Sequence, residues 1–354
     1  MIIVGVDAHK TIHAAVAVDE AGKELGHWRG PNSVAGWQQA MDWAQNFGSL
    51  RQWGIEGAWN YGRGLAQHLV KLGETVYEVN ARWTAQGRRV ARRRGKTDRL
   101  DSRAVALFVR QEAPTLPSVS AEDASVVLEL LSSEREAVLN EGVRVRNQIH
   151  ALLLQVDPEY KRRLPALDSK AGLDALTGYS TTSPSPLDQE RAASVRRLTQ
   201  RLRLAMSQPW DLEKQIVERT KETGFAPLTK LCGVSFLTAG TLAGILGPGR
   251  RFRTEAQLAA HAGVAPLEAS SAGVVRHRLN RGGNRRLNAV FHRIAITQLR
   301  CWPPAQAYVA RRLSEGKTKR EALRSLKRFL VRAVWRLWQK CGVAAAPIGE
   351  QAAA

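Results

Sequence analysis

Cysteines are scarce in this chain, and their positions do not suggest metal binding. The sequence holds three of them in 354 residues, Cys232, Cys301 and Cys341. They lie far apart, and an odd number of cysteines cannot form a closed disulfide framework. The sequence therefore argues against a zinc site and favours a protein of the reducing cytoplasm.

Hydrophobic segments long enough to cross a membrane are also lacking. No apolar run approaches the roughly 20 residues that span a bilayer. The first seven residues predict a strand and lack the charged leader and long apolar stretch of a signal peptide. We expect a cytoplasmic protein without a membrane partner.

Positive charge, in contrast, is abundant. The chain has 53 lysines and arginines against 32 acidic residues, which gives a formal net charge of +21. Charge of this size indicates an anionic partner such as nucleic acid and says nothing about the fold. A chain of this length can form two or three domains with hydrophobic cores.

Two carboxylates lie in a strongly basic stretch between residues 92 and 104. Asp98 and Asp101 are three residues apart, so they share one face of a helix that Thr97 can cap. Paired carboxylates among phosphate-binding charges suit a site that holds Mg²⁺ against nucleic acid. A solvated helix start explains this stretch equally well when it is taken alone. Its basic candidates for nucleic-acid contact are Arg92, Arg93, Arg94 and Lys96.

The first part of the chain predicts an α/β layer fold. Its apolar segments follow the order β-β-β-α-β-α-β-α, and the opening hairpin-linked strands are typical of an RNase H-like sheet. Asp7 and Glu56 each end a predicted strand, where ligands collect in open α/β sheets. Together with Asp98 and Asp101 they form a set of acids suited to a two-metal nuclease or strand-transfer site.

Two long helical patterns follow. Residues 121–156 carry apolar side chains at nearly heptad spacing, and residues 187–223 form a second helical pattern that Pro209 interrupts. A polar connector at 168–186 joins them. They predict a coiled-coil hairpin that either packs internally or contacts a second protomer.

A third unit, mostly helical, begins at residue 227. Residues 231–243 resemble a helix-hairpin-helix, whose helix N-terminus can bind a phosphate. We therefore predict domains at 1–115, 121–223 and 227–343, and a flexible tail at 344–354. The arginines of the third unit that suit a phosphate backbone are Arg276, Arg278, Arg281, Arg285, Arg286, Arg324 and Arg328.

Taken together and in this order, the motifs resemble the DEDD-type insertion-sequence transposases (the IS110 family, relatives of the Piv DNA invertases). The resemblance covers nearly the whole chain. It is carried by Gly5-Val6-Asp7-Ala8-His9-Lys10, Ile55-Glu56-Gly57, Lys96-Thr97-Asp98-Arg99-Leu100-Asp101, Gly263-Val264-Ala265-Pro266 and Arg281-Gly282-Gly283-Asn284.

The resemblance implies a RuvC-like N-terminal domain in which Asp7, Glu56, Asp98 and Asp101 hold Mg²⁺, as two ions. It also implies a nucleophilic serine in a C-terminal transposase domain. By composition alone that serine loop would be an ordinary loop. Ser271 aligns best with the nucleophile, and Ser270 is the alternative. The resemblance implies a composite site shared between protomers of a dimer or tetramer, and a serine-linked DNA intermediate.

The partners implied by the resemblance are donor DNA, target DNA and a structured guide RNA (a bridge RNA) encoded in the mobile element. The protein would be bacterial and nucleoid-associated. Two other interpretations stay open. One is a metal-only resolvase of the Holliday-junction type, which uses water in place of Ser271. The other is a non-catalytic nucleic-acid-binding protein whose acids are inactive.

Overall fold

The computed structural model describes residues 1–80, 97–247, 251–268, 277–278, 280 and 282–341. Several predicted site residues and the predicted tail lie outside these ranges. They are Arg92, Arg93, Arg94, Lys96, Ser270, Ser271, Arg276, Arg281 and residues 344–354. Within the described ranges, no helix combines the length and the apolar character that crossing a bilayer requires.

A mixed five-stranded sheet forms the centre of the N-terminal part. Its strands are β1 (Ile2–Ala8), β2 (Ile12–Val18), β3 (Glu24–Pro31), β4 (Arg51–Glu56) and β5 (Thr75–Val79). They lie in the order β3-β2-β1-β4-β5, with β1 to β3 antiparallel and with β4 and β5 parallel to β1. β1 and β2 are continuous apolar runs because both faces of the sheet are covered, whereas edge strand β3 alternates in exposure.

Helices cover this sheet on both faces. Val4 and Val6 of β1 pack with α1 (Val34–Gln45) and α2 (Arg63–Lys71). On the other face, Ile3 packs with the helix α3 (Asp98–Glu112). This alternation along β1 follows from the two-residue period of a strand. The predicted α/β order is therefore confirmed.

The described chain forms two compact units. The first contains Met1–Ser125, Pro227–Ser235 and the chain from Ile245 onward, and the second contains Val126–Ala226 and Phe236–Gly244. In the second unit, α4 (Ala124–Val156) pairs with α7 (Pro186–Glu222), joined by the short helices α5 (Tyr160–Arg163) and α6 (Lys170–Thr177).

The two long helices run antiparallel, because Arg201 pairs with Glu141 at 2.7 Å while Arg135 pairs with Glu213 at 2.8 Å. Along part of α4, the predicted apolar seam is buried against α7 within the same chain. The prediction that Pro209 interrupts the second helix is wrong. The side chain of Pro209 is buried inside a continuous helix, where packing offsets the backbone hydrogen bond that proline cannot donate.

The connector at 168–186 is also more ordered than its polar composition suggests. Ser169 caps α6 by accepting a hydrogen bond from the Gly172 amide at 3.0 Å. Leu173 and Leu176 of this helix are buried in the same hydrophobic cluster as the long helices. Apolar packing of one helix face therefore stabilises a segment whose polar composition predicts a loop.

The C-terminal part is mostly helical. Its elements are α8 (Phe236–Leu246), α9 (Glu255–His261), β6 (Leu267–Glu268), β7 (His277–Arg278), α10 (Arg285–Cys301), α11 (Pro303–Ser314) and α12 (Lys319–Cys341). A 3₁₀ turn at Ala226–Lys230, rather than a full first helix, precedes α8. The sequence did not predict α11 or the short β6–β7 hairpin.

Candidate active site

Asp7 and Glu56 meet at the carboxyl ends of two adjacent strands. β1 and β4 are parallel, and the Cα atoms of Asp7 and Glu56 are register partners. The Asp7 residue is only 7% exposed. Gly57 follows Glu56 at φ +70°, a left-handed conformation that favours glycine, and turns the chain away from the strand end.

Helix α3 brings the other two acids. Thr97 caps it by accepting a hydrogen bond from the Leu100 amide at 3.3 Å, so Asp98 and Asp101 both lie in the first turn. Asp101 is buried, whereas the Asp98 side chain is 44% exposed. Acids in this turn are favoured by the positive end of the helix dipole.

Two small residues set how closely α3 approaches the sheet. A Cβ on Gly5 would lie 2.8 Å from the Cα of Ala106 and closer still to the Ala106 nitrogen and the Ser102 carbonyl oxygen. The buried Ser102 hydroxyl lies within hydrogen-bond distance of the Ala14 carbonyl of β2, at 3.0 Å, and of the Asp98 carbonyl in its own helix, at 2.7 Å. Glycine in β1 and serine in α3 therefore place the first turn of the helix beside Asp7.

The other three predicted acids all influence the electrostatics of Asp7. Burial raises the pKa of Asp7. The charge of His9 opposes this rise, and the carboxylates of Glu56, Asp101 and Asp98 add to it. A carboxylate surrounded by like charges is stabilised in its ionised form by a nearby cation.

Sequence reasoning gave no role to His9 or Arg29, which both lie beside these acids. The His9 Nε2 atom is 3.1 Å from the Asp7 Oδ2 atom and 3.8 Å from the Asp98 Oδ1 atom. The Arg29 Nε atom is 3.7 Å from the other Asp98 oxygen, Oδ2. The usable signal was position alone, since His9 immediately follows the strand that carries Asp7.

The donor atoms present at this site suit a divalent cation. One atom each from Asp7, His9 and Asp98 lies within 4.8 Å of the other two. Carboxylate oxygens are the ligands that Mg²⁺ and Mn²⁺ prefer, and imidazole is a further ligand for transition metals. The residues therefore fit a bound metal ion on chemical grounds.

Two family models match the chain. One, described as a transposase model of the DEDD IS110 type, matches residues 4–158, and another, described as the IS116/IS110/IS902 transposase family, matches residues 226–310. The 43.6 kDa protein of insertion element IS110 from Streptomyces coelicolor is 30% identical over 66% of this chain and 68% of its own length. The chain belongs to the IS110 family of transposases.

Two further insertion-element proteins are similar to this transposase over almost the full length. The 44.8 kDa protein of insertion element IS116 from Streptomyces clavuligerus is 26% identical, and the 42 kDa protein of insertion element IS900 from Mycobacterium paratuberculosis is 23% identical. Each alignment covers 94% of both chains. The family resemblance seen in the motifs is confirmed, and membership implies a DNA-processing enzyme.

The described segments on either side of the transposase's predicted serine loop are held together. The Asn284 amide donates to the His261 carbonyl at 2.6 Å, and the Asn288 side chain donates to the Ala262 carbonyl at 2.9 Å. The backbones approach so closely at Gly263 that a Cβ on Gly283 would overlap it. These contacts pin the two ends of the loop to one another.

A buried lysine supports this anchor. Lys327 of α12 donates to the Asn288 side-chain oxygen at 2.9 Å and is only 7% exposed. Burial lowers its pKa, and the charge of Arg324 lowers it further. Lys327 is a neighbour in sequence of the half-buried Arg328, and Arg324 one turn earlier is exposed. The Lys327 side chain turns inward because Asn288 offers a buried acceptor.

The predicted nucleic-acid contacts of the transposase divide by exposure. Arg285 and Arg324 are exposed, and Arg286 is half-buried. Arg328 is 3.2 Å from Glu255, which also pairs with Arg332 at 2.7 Å. Arg278 lies on the two-residue strand β7. Among Arg285, Arg286, Arg324 and Arg328, the side chains of Arg285 and Arg324 are the most open to a phosphate.

Proposed function

We propose that this transposase cleaves and rejoins DNA strands at a site formed by Asp7, Glu56, Asp98 and Asp101 together with Ser271. The observation that carries the proposal is the convergence of three carboxylates on the buried Asp7, whose pKa is raised. Such a cluster suits a cation, and we assign it Mg²⁺, as two ions. When bound, the metal supplies positive charge for the scissile phosphate and the leaving oxygen.

We further propose that the sheet is RNase H-like, in the manner of RuvC. The strand order β3-β2-β1-β4-β5 supports this, with an antiparallel meander followed by two parallel crossovers. The two acids at strand ends and the two on α3 then come from parts of the chain that this topology brings to one edge. The loop with Ser271 lies outside the described residues, so its role comes from the resemblance to the family.

The chemistry balances without an external energy source. The Ser271 hydroxyl attacks the scissile phosphorus, an Oγ–P bond forms, and the bond from phosphorus to the 3′ oxygen breaks. The serine proton balances the 3′-hydroxyl that is released. A 3′-hydroxyl of the partner strand then attacks the phosphoserine, which restores the serine and one phosphodiester. Each phosphodiester broken is thus replaced, and no ATP is consumed.

A covalent adduct tests the nucleophile. With a DNA substrate that carries the element end, wild-type protein should form a serine-linked DNA species that survives denaturation. Ser271→Ala should form none and should still shift the DNA in a gel, because only the nucleophile is removed. Ser270→Ala is the matched control and should retain the adduct. If Ser271→Ala kept the adduct, Ser271 would not be the nucleophile.

The alternatives give different results in the same assay. A metal-only resolvase would cleave DNA without any adduct, and a non-catalytic binding protein would neither cleave nor respond to Asp7→Ala. The presence of all four acids at one place argues against the second alternative. Shared use of the site by two protomers of a dimer or tetramer is part of the proposal.

We also propose that a structured guide RNA directs this enzyme to donor and target DNA. The net charge of +21 supports a large polyanionic partner. Binding that neutralises many phosphates weakens steeply with salt, so the RNA should be lost at high salt. Sequencing the nucleic acid that copurifies at low salt tests this. A single structured RNA encoded beside the gene supports guidance, and random fragments contradict it.

A further inference from the structure

His9 lies close to two of the four acids, one on the sheet and one on α3. Its Nε2 atom lies 3.1 Å from Asp7 Oδ2 and 3.8 Å from Asp98 Oδ1, so it approaches one carboxylate from the sheet and one from α3. The imidazole is 51% exposed, which leaves the open side of the group accessible to solvent and to a ligand.

The backbone of His9 is held by the turn between β1 and β2. The His9 amide donates to the Ile12 carbonyl at 3.1 Å, and the Asn32 side chain donates to the Lys10 carbonyl at 3.2 Å. Asn32 in turn accepts a hydrogen bond from the Trp37 indole at 2.9 Å. The imidazole therefore projects from a fixed turn beside Asp7, and little ordering is needed for it to reach a ligand.

The distances from the His9 nitrogen to the two carboxylates are close to those around one metal ion. Ligand atoms about 2.1 Å from an octahedral ion lie about 3.0 Å apart when adjacent and about 4.2 Å apart when opposite. The distances from His9 Nε2 to the two carboxylate oxygens, 3.1 and 3.8 Å, fall within that range. The donor atoms of Asp7, His9 and Asp98 all lie within 4.8 Å of one another.

We propose that His9 Nε2 is a direct ligand of the divalent ion that Asp7 and Asp98 bind. This nitrogen lets the site take Mn²⁺ as well as the Mg²⁺ assigned above, with Mn²⁺ bound more tightly. The inference rests on the metal site of the proposed function. Mg²⁺ takes oxygen ligands almost exclusively, whereas first-row transition ions also accept imidazole nitrogen. A site with one nitrogen donor is therefore biased away from Mg²⁺ even when both ions bind.

Electron spin-echo spectroscopy of the full-length protein with Mn²⁺ alone tests this directly. A coordinated imidazole gives a nitrogen-14 modulation on the Mn²⁺ signal. We expect that modulation in the wild type and in His27→Gln, an exposed histidine of β3, and not in His9→Gln. In parallel titrations, His9→Gln should weaken Mn²⁺ binding about tenfold or more, with a smaller effect on Mg²⁺.

A third variant separates failure of this inference from failure of the proposed function. Asp7→Asn keeps the shape of the side chain and removes its charge, and circular dichroism checks that it folds. If Asp7→Asn loses Mn²⁺ and the wild type shows no histidine modulation, the acid site stands and the role of His9 is refuted. If Mn²⁺ binding is unchanged in Asp7→Asn, the metal site is not where we place it, and both proposals fail.

Discussion

A substitution of Gly5, in the middle of β1, tests whether the close packing of α3 on β1 positions the acids. In Gly5→Ala the new Cβ would lie 2.8 Å from the Ala106 Cα and closer to two other backbone atoms of α3. All three obstacles are main-chain atoms, so no side-chain rotation relieves the overlap. Either the helix or the strand has to move.

The size of the effect follows from this overlap. Carbon atoms pack at about 3.5–4.0 Å, so the helix must retreat by about 1 Å. Overpacking in a rigid core costs about 1–3 kcal/mol, and backbone obstacles place Gly5→Ala at the upper end. The retreat also moves Asp98 and Asp101 away from Asp7, and a displacement of about 1 Å at a reacting site can cost about 10²-fold in rate.

Hydrogen–deuterium exchange of the full-length protein measures the local loss of packing between β1 and α3. A Mn²⁺ titration measures how that loss affects metal binding by the acids. Gly5→Ala should speed exchange in peptides of β1 and α3 and weaken Mn²⁺ binding. Gly178→Ala is the matched control, because its Cβ would meet nothing within 4 Å and its φ of −94° suits alanine. Unchanged exchange and metal affinity in Gly5→Ala would refute the close packing of α3 on β1.

Two further expectations concern the C-terminal part. Burial and the charge of Arg251 lower the pKa of His261 from 6.5 to about 4, against the opposing charge of Glu78. Between these pH values the unfolded chain binds more protons than the folded one. The free energy of unfolding should therefore fall as pH falls from about 6.5 to about 4, by at most about 3 kcal/mol. In urea denaturation at several pH values, His261→Phe should remove that fall. The Sγ atoms of Cys232 and Cys301 are 3.9 Å apart, so diamide, which takes up the two thiol hydrogens, should join these residues and leave the buried Cys341 as a thiol. Peptide mapping checks this, and a link to Cys341 instead would contradict it.

Much of the N-terminal fold could be predicted because its signals are local. β1 and β2 are apolar runs between polar turns, and Thr97 before two acids predicted the start of α3. Pro209 misled for the opposite reason. Its helix is stabilised by packing against a partner helix far away in sequence, which no local propensity reports. The Trp302-Pro303 start of α11 was a usable signal, since proline favours the first helical turn.

The proximity of the four acids could likewise be predicted from strand ends and helix spacing, whereas their neighbours could not. Arg29 reaches Asp98 only because β3 and α3 meet in space. Cys232 and Cys301 are 69 residues apart, and their scattered spacing gave no sign that they meet. Such contacts depend on tertiary packing, which a single sequence does not encode in any short pattern.

Arg251 shows how the C-terminal part of the first unit is tied to the strands that carry the site. Its guanidinium donates to Glu78 of β5 at 2.7 Å and to the Ile245 carbonyl at 2.9 Å, and it lies 5.5 Å from the ring of Trp59. Burial alone would raise the pKa of Glu78, but the charge and hydrogen bond of Arg251 hold it below its ordinary value.

A buried ion pair adds little net stability, because desolvation offsets the attraction, yet loss of one partner costs about 3–5 kcal/mol. The pair therefore selects one arrangement over others more than it strengthens the fold. Glu78 immediately precedes Val79, the register partner of Glu56, and Trp59 follows Glu56 by three residues. Arg251 contacts both Glu78 and Trp59. The same side chains therefore determine how the C-terminal segment docks and where the strand ends that carry the acids lie.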